Sequence, residues 1–393
     1  MARLWKPTMR KGAAIPLDDT SILALANEPA PAIYLNWRLY SMGAPKTAMF
    51  EAPLYTDTRI VGEYETGPLK FINTIAPDPR GMDLRPAIVV RLSSHWPAYS
   101  PIPMEDTNDE HYHGGDHIDE IAALAALVMG IRVQAGPIMR EFGLRGDPLG
   151  TPIMLSGMKT IPALYPSNQS PMVPRLAEPA NLTELVLIER LPMMSPETAS
   201  VLIKSARTYQ TALWFADSHP EMAWLFLVSA IESAATHWAK KNLVDDNPFL
   251  PDSVAKILRE HSCPESVDEP ISSYLRETTK STRKFIAFLM EFLPAPPTER
   301  PESQNLRIDF TSGELRKDFQ FVYKCRSRAL HTGVPFPRPM CSPRREQLKE
   351  ERNFSLGMST LGATWSFKKY SPIHFHMFEH IVRGALLRWL GSL

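Results

Sequence analysis

The chain has 393 residues and a mass of 44.3 kDa, enough for two domains at about 100–200 residues each. Lys+Arg and Asp+Glu are 43 each, so the formal net charge is zero. Coating nucleic acid by bulk charge is thereby excluded, while a local basic patch is not. Apolar residues at 44% and charged residues at 22% exclude wholesale disorder. Thirty-seven prolines beside 19 glycines predict fixed loops rather than flexible linkers.

Cys263, Cys325 and Cys341 share no C-x-x-C spacing, which points to a reducing cytoplasm rather than a disulfide framework or a cysteine zinc site. The longest apolar runs, such as Met222–Ile231, are about half a membrane span. The basic N-terminus carries no apolar signal core, so the expectation is a cytoplasmic protein without a membrane partner.

Residues 1–194 are expected to form an irregular α+β recognition or regulatory domain. Ala32–Tyr40, Leu69–Ile75 and Ala87–Leu92 are β-branched or aromatic runs bounded by turn residues and predict short strands. Asp119–Met129 predicts a helix, with acids in its first turn and Gly130 as its stop. Ile131–Gln134 reads as extended, and Thr183–Ile188 as a further strand.

Residues 195–393 predict an all-α bundle. Ser195-Pro196-Glu197 is a helix start, and helices are expected over 196–217, 220–242, 252–260, 271–293, 312–332 and 373–391. In the second, Trp224, Val228, Ile231, Ala235 and Trp238 form a core-facing stripe, as do Phe378, Val382, Ala385 and Trp389 in the last.

Three constellations are candidates for chemistry. From Val322 to Arg345 there are six basic residues (Lys324, Arg326, Arg328, Arg338, Arg344, Arg345) and no acid, which makes a local anion-seeking patch. Arg326 and His331 lie five helical steps apart, about 140° around the axis, so one helix aims them poorly at a single phosphate. Two such helices meeting across a twofold axis bring both pairs to one cleft. There a histidine can move a proton and an arginine can hold the phosphate, cleaving RNA through its 2′-hydroxyl without a metal. The same residues also suit a plain helix C-terminus, where basic groups are favoured by the dipole and the free carbonyls.

The segment Tyr323-Lys-Cys-Arg326-Ser327-Arg-Ala-Leu-His331-Thr-Gly333, followed by Pro335-Phe-Pro337, resembles the signature helix of HEPN domains, especially the Apea-like group. The resemblance covers about 195–393. It implies a dimerising HEPN-type helical bundle, and a metal-independent endoribonuclease of a prokaryotic defence or toxin-type system, with no cofactor. Arg326 and His331 would be catalytic, Ser327 auxiliary, and Glu232 the acid that orients the arginine or histidine. Lys324, Arg328, Arg338, Arg344 and Arg345 would hold RNA, tRNA among the candidates, and an antitoxin or trigger protein would be a further partner. The alternative is a non-catalytic module that binds RNA, a nucleotide or a protein. Glu232 falls among apolar positions on helical spacing, so it is expected to face the bundle and to need a cationic partner there.

The second constellation, His376-Met-Phe-Glu379-His380, matches the H-x-x-E-H zinc pattern but has no downstream third ligand; it reads rather as a histidine-bearing helix face. The third, His111-Tyr-His113-Gly-Gly-Asp116-His117, has chelating spacing without a further ligand cluster nearby, and it reads rather as a set of solvated loop histidines. No metal is expected, and no phosphate-binding glycine loop or nucleophile elbow is present.

Overall fold

The computed structural model describes residues 24–25, 28–74, 85–96, 112–143, 148–153, 171–242, 280–311, 313–353, 357–360, 363–366 and 372–393. The expected helix over 252–260 lies outside the described residues, as does the first part of that over 271–293.

The architecture is α+β. The first half is built on β1 (Ala48–Thr56), β3 (Glu63–Thr66), β4 (Leu69–Asn73), β5 (Arg85–Ser94), β6 (Gln134–Ala135), β7 (Arg140–Phe142) and β8 (Thr151–Pro152). They form one antiparallel sheet in the order β3-β4-β5-β1-β7-β8, with β6 also paired to β1. β2 (Ile60–Val61) pairs in parallel with β9 (Ala180–Asn181). Central β1 contains Pro53, which lacks an N–H for the ladder. It sits where the neighbour changes from β7 to β6 and beside a register shift at Leu54/Tyr55, where a missing donor costs least.

Two expected strands take other forms. Ala32–Ser41 is a helix, α1, with Ile33, Tyr34, Leu35, Trp37 and Leu39 buried. Burial on most sides erases the helical period, and its apolar run then imitates a strand. What settles it comes from elsewhere in the chain: the buried Glu120 carboxylate accepts the N–H groups of Ala32 (3.1 Å) and Ile33 (2.7 Å), satisfying donors a helix start leaves open. The expected strand at Thr183–Ile188 belongs to a 3-10 segment, Leu182–Met193, opened by a capping box of Asn181 and Glu184. Its buried residues, Leu182, Leu185, Ile188 and Leu191, recur every third position, the period of that helix.

Glu120 belongs to α2 (His117–Met129), which Asp116 caps in a capping box and Gly130 ends with φ 66°. Arg175 Nε donates to Met129 O (2.7 Å) and Arg383 Nε to Leu127 O (3.0 Å), so two guanidinium groups cover the last carbonyls of α2.

The second half contains α3 (Pro196–Phe215), α4 (Pro220–Trp238), α5 over 280–291, α6 (Glu314–Thr332) and α7 (Phe375–Ser392). It is not wholly helical. β10 (Gly357–Thr360) and β11 (Ala363–Ser366) form an antiparallel pair between α6 and α7. Buried Trp224 on α4 stacks on Phe336 (5.6 Å) and on Phe378 of α7 (4.9 Å), meets Phe375 edge-on, and donates its indole N–H to Met340 O (3.0 Å). That cluster fixes where α4 and α7 stand relative to the chain leaving α6.

One hydrophobic core runs through both halves. Polar ties cross with it. Arg132 donates to Leu213 O (2.9 Å) while pairing with Asp57 (2.7 Å) and Asp217, and within the second half Tyr209 of α3 donates to Glu379 of α7 (2.5 Å). Among the described residues no helix is long and apolar enough to cross a membrane.

Candidate active site

Helix α6 decides the geometry. Leu315, Phe319 and Val322 on one side are buried, whereas Lys317, Lys324, Arg328 and His331 on the other are exposed. At 100° per residue, Arg326 falls at the centre of the buried side and His331 on the solvent side. Gly333, with φ 66°, terminates the helix in the left-handed conformation.

Arg326 meets the acid expected for it. Its Nη2 donates to Glu232 Oε2 on α4 at 2.7 Å, and each side chain keeps a fifth of its surface exposed. Tyr323 completes the set: its hydroxyl donates to the other carboxylate oxygen, Oε1, at 2.8 Å, and the guanidinium lies 5.6 Å from its ring centroid. Burial, then the adjacent Glu232, push the Tyr323 phenol up to about 12, so it stays a donor at any neutral pH. Glu232 is therefore held on both oxygens by groups three residues apart on α6, which fixes its rotamer and, through it, the guanidinium. Arg326 Nε is buried, and among the described residues it has no hydrogen-bond partner. Tyr323 was not among the candidates from sequence; its position, three residues before Arg326 on the flank of the buried side, was the available signal.

The remaining candidates divide. Ser327 is half-buried beside Arg326 in sequence. Lys324 and Arg328 are exposed on the His331 side, and Arg338 is exposed at the start of a 3-10 turn, Arg338–Cys341. Arg345 is paired with Glu350, and half-buried Arg344 is close enough to His374 and His376 for its charge to oppose their protonation. Within one chain, then, Arg326 and Glu232 come together, while His331 points the other way.

Among the described residues, the members of the two histidine constellations have other partners. Glu379 is taken by Tyr209, His380 Nε2 meets Ala295 O (2.9 Å), and His376 is buried. His113 Nε2 pairs with Glu120 (2.6 Å), beneath the start of α1, and His117 opens α2; His111 lies outside the described residues. Among the described residues no group of three His, Cys, Asp or Glu is arranged to hold a metal. Among the described residues Cys325 and Cys341 form no disulfide, and burial pushes both thiols up to about 12, which keeps them unreactive at neutral pH.

No family model, curated protein or solved structure matches the chain.

Proposed function

We propose that the protein is a metal-independent endoribonuclease of the HEPN type, acting as a homodimer, in a prokaryotic defence or toxin-type system. The observation that carries this reading is the Tyr323–Glu232–Arg326 network: an arginine preset by a carboxylate, five residues before an exposed histidine at a helix end rich in basic groups. In the reaction, His331 takes the proton of a ribose 2′-hydroxyl and the 2′-oxygen bonds to phosphorus. The bond from phosphorus to the 5′-oxygen breaks, and that oxygen takes up a proton. Arg326 holds the phosphate and its developing charge. The products are a 2′,3′-cyclic phosphate and a 5′-hydroxyl, with no redox change. Because Arg326 and His331 diverge on one helix, the second copy supplies the complement of each. Ser327 assists beside Arg326, and a trigger or antitoxin protein acts on the first half.

The second reading is a non-catalytic RNA-, nucleotide- or protein-binding module. It is favoured by the same ion pair, since a guanidinium satisfied by Glu232 needs no phosphate. Incubation of total tRNA and mixed RNA with wild type and His331→Ala in EDTA separates the two. Cleavage by wild type alone, leaving cyclic phosphate ends, is the expected result. Cleavage retained in His331→Ala sinks the assignment, and equal RNA binding by both without product establishes the module.

A further inference from the structure

The solvent side of α6 extends the basic patch toward the helix start, beyond the residues the motif includes. Lys317, Phe321, Lys324, Arg328 and His331 are spaced 4, 3, 4 and 3, so they form one stripe within about 80° of the helix surface. From Lys317 to His331 it runs about 21 Å at 1.5 Å per residue. Lys317 and Lys324 are exposed, and with half-buried Gln320 and Phe321, which also packs against the core, they line a shallow groove of about 250 Å³. The acid that falls within this stretch, Asp318, points inward and is held by Arg352 through two hydrogen bonds of 2.7 Å.

From this we infer that the groove receives a nucleotide of single-stranded RNA, so that α6 guides an unpaired strand along its stripe to His331. This rests on the ribonuclease reading and gives its substrate class. Two cations flanking an aromatic edge fit a phosphate–base–phosphate repeat: the ammonium groups meet phosphates, the ring takes a base face, and Gln320 offers both a donor and an acceptor to a base edge. The volume is below the roughly 300 Å³ at which pockets for whole small ligands begin, so it suits one ring and not a cofactor. A duplex keeps its bases stacked inside and has none to offer Phe321, whereas an acidic peptide gains from the lysines but not from the ring.

The test is fluorescence anisotropy with a labelled 12-nucleotide 2′-O-methyl RNA, which lacks the attacking hydroxyl and stays intact. The same strand annealed to its complement, and polyglutamate as competitor, complete the set. Phe321→Leu keeps apolar packing while removing the ring, and Lys317→Gln/Lys324→Gln removes two charges; unchanged thermal unfolding verifies that each folds. The expected result is single-strand affinity lowered on the order of tenfold by Phe321→Leu. The lysine pair should flatten the salt dependence by about 1.4 in the log–log slope, two phosphates at about 0.7 each. The inference is overturned by absence of binding at low salt, by equal affinity for the duplex, or by indifference to Phe321→Leu. It is also overturned if polyglutamate displaces the RNA from wild type and Phe321→Leu alike, which assigns the groove to acidic protein. Unmodified RNA assayed in parallel separates the two ideas. Binding effects without cleavage by wild type sink the reaction and spare the groove; cleavage without binding effects does the reverse.

Discussion

Replacing Glu232 by Gln keeps the shape of the side chain and an acceptor for Tyr323, but removes the charge that faces Arg326. Exposed ion pairs contribute about 0–1 kcal/mol, and breaking a fully buried one costs about 3–5 kcal/mol. With one fifth of each partner exposed, the Glu232–Arg326 pair stands nearer the buried limit. Since Gln can still accept from the Tyr323 hydroxyl, that hydrogen bond is conserved and the expected loss is about 2 kcal/mol. Urea unfolding of Glu232→Gln, Arg326→Gln and the double variant measures it. The double variant should be more stable than the sum of the singles predicts by about 1–2 kcal/mol, because it no longer leaves one charge stranded. A single-variant loss below about 0.5 kcal/mol with no coupling would refute the reasoning, since it would mean that water screens the pair and Glu232 does not fix the guanidinium. In the proposed reaction, the same substitution lowers kcat more than it changes KM, because a loosened arginine still attracts phosphate but no longer meets the transition state in register.

Two further perturbations probe buried charge. His374 and His376, their rings 5.6 Å apart, lie among Glu350, Arg344, Arg345 and His380, with His374 Nε2 3.6 Å from the Glu350 carboxylate. Burial holds the His374 imidazole down to about 4, against the pull of Glu350, and holds His376 well below its ordinary value. Both therefore take up protons in the unfolded chain first, so stability is full above pH 6.5 and falls as pH drops toward 4, by about 1.4 kcal/mol per pH unit for each histidine. Urea unfolding at pH 7.5, 6 and 5 measures this slope, and His374→Gln/His376→Gln should flatten it; an unchanged slope in that variant removes the histidines as its cause. Arg132→Met should cost about 3–5 kcal/mol by stranding Asp57 and Asp217, and Asp57→Asn/Asp217→Asn in the same chain should recover part of it. No loss in thermal or urea unfolding would show that these carboxylates reach water without the arginine.

What was legible in the sequence had a local cause. The Ser195-Pro196-Glu197 start, the Asp119 and Glu120 first turn, and the Trp224 and Phe378 stripes are each written in a few neighbouring residues, and those helices formed where expected. α1 was hidden because the groups that cap it belong to Glu120, 88 residues away. β1 was hidden by Pro53, whose cost is absorbed by the way β6 and β7 divide the neighbouring edge. In the site, the need of Glu232 for a cation followed from its place among apolar positions. Tyr323 did not follow, since it matters only once α4 and α6 are set side by side.

The divergence of Arg326 and His331 was legible from helix geometry alone, and it limits what any one chain can do. Arg326 gains its fixed orientation by lying on the buried side, where Glu232 and Tyr323 reach it; His331 gains access by lying on the other. Moving either residue by one or two positions to share a face would sacrifice one of these. An arginine on the solvent stripe would lose its carboxylate, and a histidine on the buried side would meet desolvation of the kind that depresses His374 and His376. In the homodimer proposed above, apposition of two α6 helices would resolve the conflict, because a twofold axis would bring the fixed arginine of one chain toward the exposed histidine of the other. On that view the five-residue interval is the spacing that keeps one group rigid and the other wet.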